Sequence, residues 1–159
     1  MFEKKRILKT VLILILLSTL LMFLWPRSFL SNIAAEIKSI SIVVIETNFE
    51  HNQATHTFNI GTPEFDAIME VLDSYSYHTS IGTISNHIRK TAHIEGNDAG
   101  YWLDIYLYTE PDCYGDCYSI LSSGTGEIIF DYGVYRMGYW GNKTHLEFMT
   151  EICQVVDSN

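Results

Sequence analysis

Two thiols separated by three residues, Cys113 and Cys117 in the run CYGDC, are the side chains here best placed by type and spacing to do chemistry. Such a pair can close a disulfide, supply half of a metal site, act as a redox couple or stay unpaired, and the residues alone leave these readings open. A zinc site needs further ligands. Asp112 and Asp116 adjoin the thiols, but no histidine is local and the spacing is not a standard zinc pattern. If Tyr114, Gly115 and Asp116 form a hairpin loop, Cys113 and Cys117 become cross-strand neighbours roughly 4.5 to 5.5 Å apart at Cα, within disulfide range. That geometry predicts a local clip, worth about 2 kcal/mol in chain-entropy terms. Cys153 falls on the apolar face of a predicted helix and is expected to fill core space.

Tyrosine is the second chemical feature. Eight of the ten tyrosines lie between Tyr101 and Tyr139, with Trp102 among them and Trp140 directly after. Strand alternation along YWLDIYLYT places Leu103, Ile105 and Leu107 on one face and Trp102, Asp104, Tyr106 and Tyr108 on the other. Aromatic residues are good strand formers, so plain sheet packing is one account of them. If helices cover the leucine and isoleucine face, the other becomes a recognition surface for a glycan, a peptide or a protein partner.

No sequence signature of catalysis accompanies these features. His51 and His56 flank a turn and His93 sits on a predicted strand, without ligand spacing. No serine occupies a nucleophile elbow. SSGTGE lies between predicted strands and lacks the lysine of a phosphate loop, so it reads as a hairpin turn. Asn142-Lys143-Thr144 matches a glycosylation sequon, but reads more simply as the approach to a helix starting at Thr144. No cofactor, metal or catalytic residue is expected. The reading is a binding or interaction module rather than an enzyme, the alternative being a wall-associated enzyme or inhibitor whose site is assembled from distant residues.

The elements that must position these residues follow from periodicity. EIKSISIVVIE alternates around Ile40, Ile42 and Val44, and with ATHTFNI predicts a hairpin. In GTPEFDAIMEVLDSYS, Thr62 is a good N-cap, Pro63 suits the first helical position, and Phe65, Ile68, Met69 and Leu72 share a face. KTAHI, the turn GNDAG and YWLDIYLYT predict a second hairpin, YSILSS the next strand and EIIFDYGVYRMGYW another. Thr144-His145-Leu146-Glu147 predicts a capping box, followed by a helix with Leu146, Met149, Cys153 and Val156 inward. The expected fold is α+β, β-β-α-β-β-β-β-α, with about two helices on one side of an antiparallel sheet.

Ahead of this domain, Lys4, Lys5, Arg6 and Lys9 precede an uncharged run from Thr10 to Trp25, closed by Pro26 and Arg27. The pattern predicts a transmembrane signal anchor that enters the membrane through residues 7–25, with the N-terminus cytoplasmic and the domain extracytoplasmic. A cleaved secretory signal is the alternative and exports the same domain. The expected organisation is a basic tail and anchor over 1–27, a short linker over 28–35 and one domain over 36–159. The exported part sets six cations against eighteen acids, a charge of −12. That balance repels nucleic-acid phosphate and anionic polymers, so nucleic acid is excluded as a direct ligand.

The basic start, the single apolar span, the ISI first strand, the IYLYT strand and the closing GVYRM resemble small signal-anchored extracytoplasmic proteins of unknown function from Gram-positive bacteria. The resemblance implies an exported domain and lends no activity or site residues.

Overall fold

The computed structural model of the chain describes residues 2–46, 53–79, 101–122, 126–130, 133–139 and 143–158. One eight-stranded antiparallel sheet organises them. Its strands are β1 (Arg27–Ser28), β2 (Ser39–Glu46), β3 (Gln53–Asn59), β4 (Ser76–His78), β5 (Tyr101–Glu110), β6 (Tyr114–Ser122), β7 (Glu127–Phe130) and β8 (Gly133–Met137), in spatial order β1-β4-β8-β7-β6-β5-β2-β3. Helices α2 (Pro63–Ser74) and α3 (Lys143–Asp157) pack together over one face, and α1 (Phe2–Leu24) precedes the sheet. The α+β antiparallel architecture is as expected.

Alternation decides which face the helices cover. Ile40 and Ile42 of β2, Leu103, Ile105 and Leu107 of β5, and Ile120 of β6 are all fully buried in one cluster with Ile68 and Leu72 of α2 and Phe148, Met149 and Ile152 of α3. α2 starts as predicted: the Thr62 hydroxyl accepts from the Phe65 N–H at 3.2 Å and Pro63 takes the first turn. α3 starts one residue earlier than predicted, at Lys143, so Thr144 lies inside the helix rather than capping it. Its buried stripe is His145, Phe148, Met149, Ile152 and Val156, leaving Leu146 and Cys153 half-buried at the margin.

Two further differences concern strand number and the linker. EIIFDYGVYRM is two strands, β7 and β8, which pair antiparallel from Phe130–Gly133 to Glu127–Arg136. The stretch 28–35, expected as a linker, belongs to the domain. Phe29 is fully buried, stacked against Phe148 and packed edge-on to Phe130, while Arg27 and Ser28 pair with Tyr77 and Ser76. Phe29, Leu30 and Ile33 are too few apolar positions to establish a period, which is why pattern reading passes over the segment. Only Trp25 and Pro26 separate α1 from β1, and the Tyr139 hydroxyl donates to the Leu24 carbonyl at 2.6 Å. Tyr139 is itself stacked on His78, their ring centroids 4.5 Å apart.

α1 exposes large apolar side chains all round, from Ile7 and Leu8 to Leu21 and Leu24. Among the described residues no helix is long and apolar enough to cross a membrane, so the fold does not support a transmembrane α1. The predicted strand KTAHI and the turn GNDAG lie outside the described residues, as do His51 and His93.

Candidate binding face

The predicted face lies on the side of the sheet opposite the described helices, on β5, which is hydrogen-bonded to β2 on one side and β6 on the other. Trp102 is 36 % exposed, and Asp104, Tyr106 and Tyr108 are half-buried, while their alternates Leu103, Ile105 and Leu107 are fully buried. The structure therefore brings all four predicted residues together in one column along β5. Cross-strand pairing gives each a different setting.

Trp102 lies opposite Ile45 of β2. Asp104 lies in a transverse row that runs Thr55, Val43, Asp104, Leu121, Ile129, Val134 through six strands. It is the one charged residue of that row, and burial among aliphatic neighbours holds its carboxyl above the usual carboxylate range. Val134 is only 1 % exposed, so the row is closed at its far end and half-open at Val43 and Asp104. Tyr106 lies between Ser41 and Ser119, and burial followed by the nearby Asp104 charge pushes its phenol up. Tyr108 lies between Ser39 and Cys117, and burial, reinforced by Cys117, raises it to about 12. The column thus grades from an indole, through a desolvated carboxyl, to neutral phenols that can donate hydrogen bonds.

The thiols take a different geometry from the predicted clip. The hairpin loop is Pro111–Cys113, three residues earlier than Tyr114-Gly115-Asp116, and β6 already starts at Tyr114. Gly115 serves a β-bulge instead. It takes φ +80°, and Gly115 and Asp116 together oppose Thr109, whose hydroxyl accepts from the Asp116 N–H at 3.0 Å. A Cβ at Gly115 would sit 2.6 Å from that same hydroxyl. Cys113 therefore belongs to the loop while Cys117 pairs with Tyr108, and both are thiols with no disulfide between them. Burial pushes the Cys117 thiol up, against a lowering hydrogen bond with Tyr108, which makes it a poor nucleophile.

The loop runs through two successive left-handed residues, Asp112 at φ 57° and Cys113 at φ 63°. Such conformations cost about 1 to 2 kcal/mol per non-glycine residue, and specific bonds offset it. Asn59 and Asp112 bond reciprocally, Nδ2 to Oδ1 at 3.0 Å and the Asp112 N–H to Oδ1 of Asn59 at 3.1 Å. Ser39, fully buried, donates to the Glu110 carbonyl at 2.7 Å and accepts from the Cys113 N–H at 3.0 Å. The loop is thereby folded against the Tyr108 end of the column.

One buried polar pair escaped sequence reading. His145 of α3 and Ser122 of β6 are hydrogen-bonded beneath the helices, with relative exposures of 0 % and 1 %. The Gly126 N–H donates to His145 Nδ1 at 3.3 Å, so Nε2 carries the proton of the neutral ring and donates to Ser122. Burial lowers His145 to about 4. The available signal was spacing, since His145 stands in register with Met149, Ile152 and Val156. The pair is sealed from solvent and serves packing.

Among the described residues no group of three or more metal-ligating side chains comes together. Comparison with family models, with curated proteins and with solved structures finds no match for this chain.

Proposed function

We propose that the protein is a binding module held at a membrane by α1, with its sheet domain on the extracytoplasmic side, and that the Trp102–Tyr108 column is its recognition surface. The observation that carries the binding role is the column itself. An indole edge, a carboxyl held among aliphatic side chains and phenolic donors are half-open on the one sheet face that no described helix covers. Aromatic planes with a polar handle supply contact area at low entropic cost. A desolvated carboxyl gains most from a ligand that brings its own donors, so the fitting classes are glycan hydroxyls and cationic peptide side chains.

Membrane attachment is supported by the apolar surface of α1 and by the lysines and arginine at its start. The uncharged run is about 16 residues, or about 24 Å as helix, a little under the ~30 Å hydrocarbon thickness. Flanking Lys9 and Arg27 can snorkel and the bilayer can thin to meet it. Protease added to intact cells should remove a C-terminal tag and spare an N-terminal one. A C-terminal tag cut only after lysis would overturn the orientation.

The binding role is tested by thermal shift of the detergent-solubilised chain against panels of neutral glycans and cationic peptides. Trp102→Ala should weaken the best responder by about 1 to 3 kcal/mol, the usual range for an aromatic anchor, while costing under about 2 kcal/mol of folding stability, because Trp102 is only partly buried. A stability loss of about 3 to 5 kcal/mol, as for a core aromatic, with no ligand effect, would sink the recognition surface.

A further inference from the structure

The two edges of the sheet differ. One is β1, two residues long, and the other is β3, seven residues long. Short strands, lysines, prolines and bulges are the usual protection of an edge against pairing with another chain. β3 has none of them. Its sequence QATHTFN contains no Asp, Glu, Lys, Arg, Pro or Gly, and its register with β2 runs unbroken from Ser39–Asn59 to Ile45–Gln53. Gln53, Ala54, Thr55 and Thr57 are exposed, and among the described residues β3 is paired on its β2 side alone. The turn at Asp112 ties down Asn59, so the edge is rigid at that end as well.

We propose that β3 is the seam of a homodimer, in which two copies pair antiparallel about a two-fold axis through His56 and join their sheets into one of sixteen strands. The strand is complementary to itself in that register. Thr55 meets Thr57 of the partner subunit and Thr57 meets Thr55 of the partner subunit, giving two threonine pairs on the face opposite the described helices. Gln53 meets Asn59 of the partner subunit, pairing amides, and Ala54 meets Phe58 of the partner subunit, small against large. Cross-strand threonine pairs are favourable, and the neutral seam places no like charges opposite each other. An isologous contact of this kind closes on itself and does not propagate. Each chain carries a net charge of −9, so the two bodies repel outside the seam, and added salt strengthens the dimer by screening. The proposal stands independently of the recognition column.

The test uses the full chain in a nonionic detergent, with Cys113→Ser and Cys117→Ser to remove the native surface thiols. In the proposed register His56→Cys places two introduced thiols directly opposite, with Cα atoms about 4.5 to 5.5 Å apart. Thr55→Cys places them two positions out of register, about 7 to 8 Å apart. Under oxidised glutathione, His56→Cys should give at least tenfold more crosslinked dimer than Thr55→Cys. Sedimentation of the unmutated chain should show a dimer that strengthens between 50 and 500 mM salt and is lost in Thr55→Lys/Thr57→Lys. Equal crosslinking at the two positions, or a dimer that survives the lysine pair, would place any contact elsewhere and overturn the seam. A chain that stays monomeric at all salts would overturn it too, leaving the edge to a strand from another protein.

Discussion

Acidification should destabilise this protein through His145. The ring is fully buried, its Nδ1 accepts from Gly126 and its Nε2 donates to Ser122, so a proton added to Nδ1 breaks a bond and puts an uncompensated charge under the helices. Its value falls to about 4 in the folded state against 6.5 in the unfolded chain. The unfolded state therefore binds more protons between those values. Stability is fully present above pH 6.5 and is lost as pH falls towards 4. The full loss is about 3 kcal/mol, with about 2 kcal/mol already gone at pH 5, at ~1.4 kcal/mol per unit. Asp104, raised by burial, acts in the opposite sense, since its protonated form is favoured in the folded state and offsets part of the loss at low pH. Urea unfolding of the wild type and of His145→Gln, each at pH 7.5 and pH 5, separates the two. The glutamine keeps a donor and an acceptor but does not titrate. The advantage of wild type over variant should shrink by about 2 kcal/mol on acidification. An NMR titration that put folded His145 near 6.5, or an equal loss of stability in both proteins, would refute the argument.

Phe29→Ala should cost about 3 to 5 kcal/mol, as truncation of a fully buried aromatic does, whereas Ser31→Ala, at an exposed position in the same segment, should stay within about 0.5 kcal/mol; chemical denaturation reads both. Cys113 and Cys117 should each react with a thiol reagent in denatured protein prepared without reductant, and mass-spectrometric recovery of a 113–117 crosslink would contradict the hairpin register. Gly115→Ala should destabilise by more than about 1 kcal/mol, because the new Cβ meets Thr109 at positive φ, and a neutral melting temperature would contradict the bulge.

The sequence and the fold agree where one period dominates. β2 and β5 alternate cleanly, so their inward residues and the Trp102–Tyr108 column were readable before any coordinates. α2 was readable because Thr62 and Pro63 mark its start. Disagreement arises where one residue type serves two local purposes. Gly115 fits a hairpin loop and a bulge equally well, and only pairing with Thr109 selects the bulge, moving the loop onto Asp112 and Cys113. His145 was assigned to a helix cap by its neighbours Thr144 and Glu147, although its spacing belongs to the core stripe. β1 and β4 are too short to show a period at all. They exist because β8 offers an edge to β4 and β4 offers one to β1, a tertiary effect absent from any local window.

The Trp25-Pro26 junction sets how the molecule can be handled mechanically. Two residues of chain amount to about 7 Å of contour, and Leu24 is bonded to Tyr139 while Phe29 is locked among the core rings. There is no slack to act as a swivel. Whatever holds α1 also fixes the height and bearing of the sheet, as a bracket holds a plate, and a pull on the domain is felt first at β1, the two-residue strand at the sheet margin. Lengthening the junction with flexible residues would extend the reach of the domain from α1 at the cost of its fixed orientation.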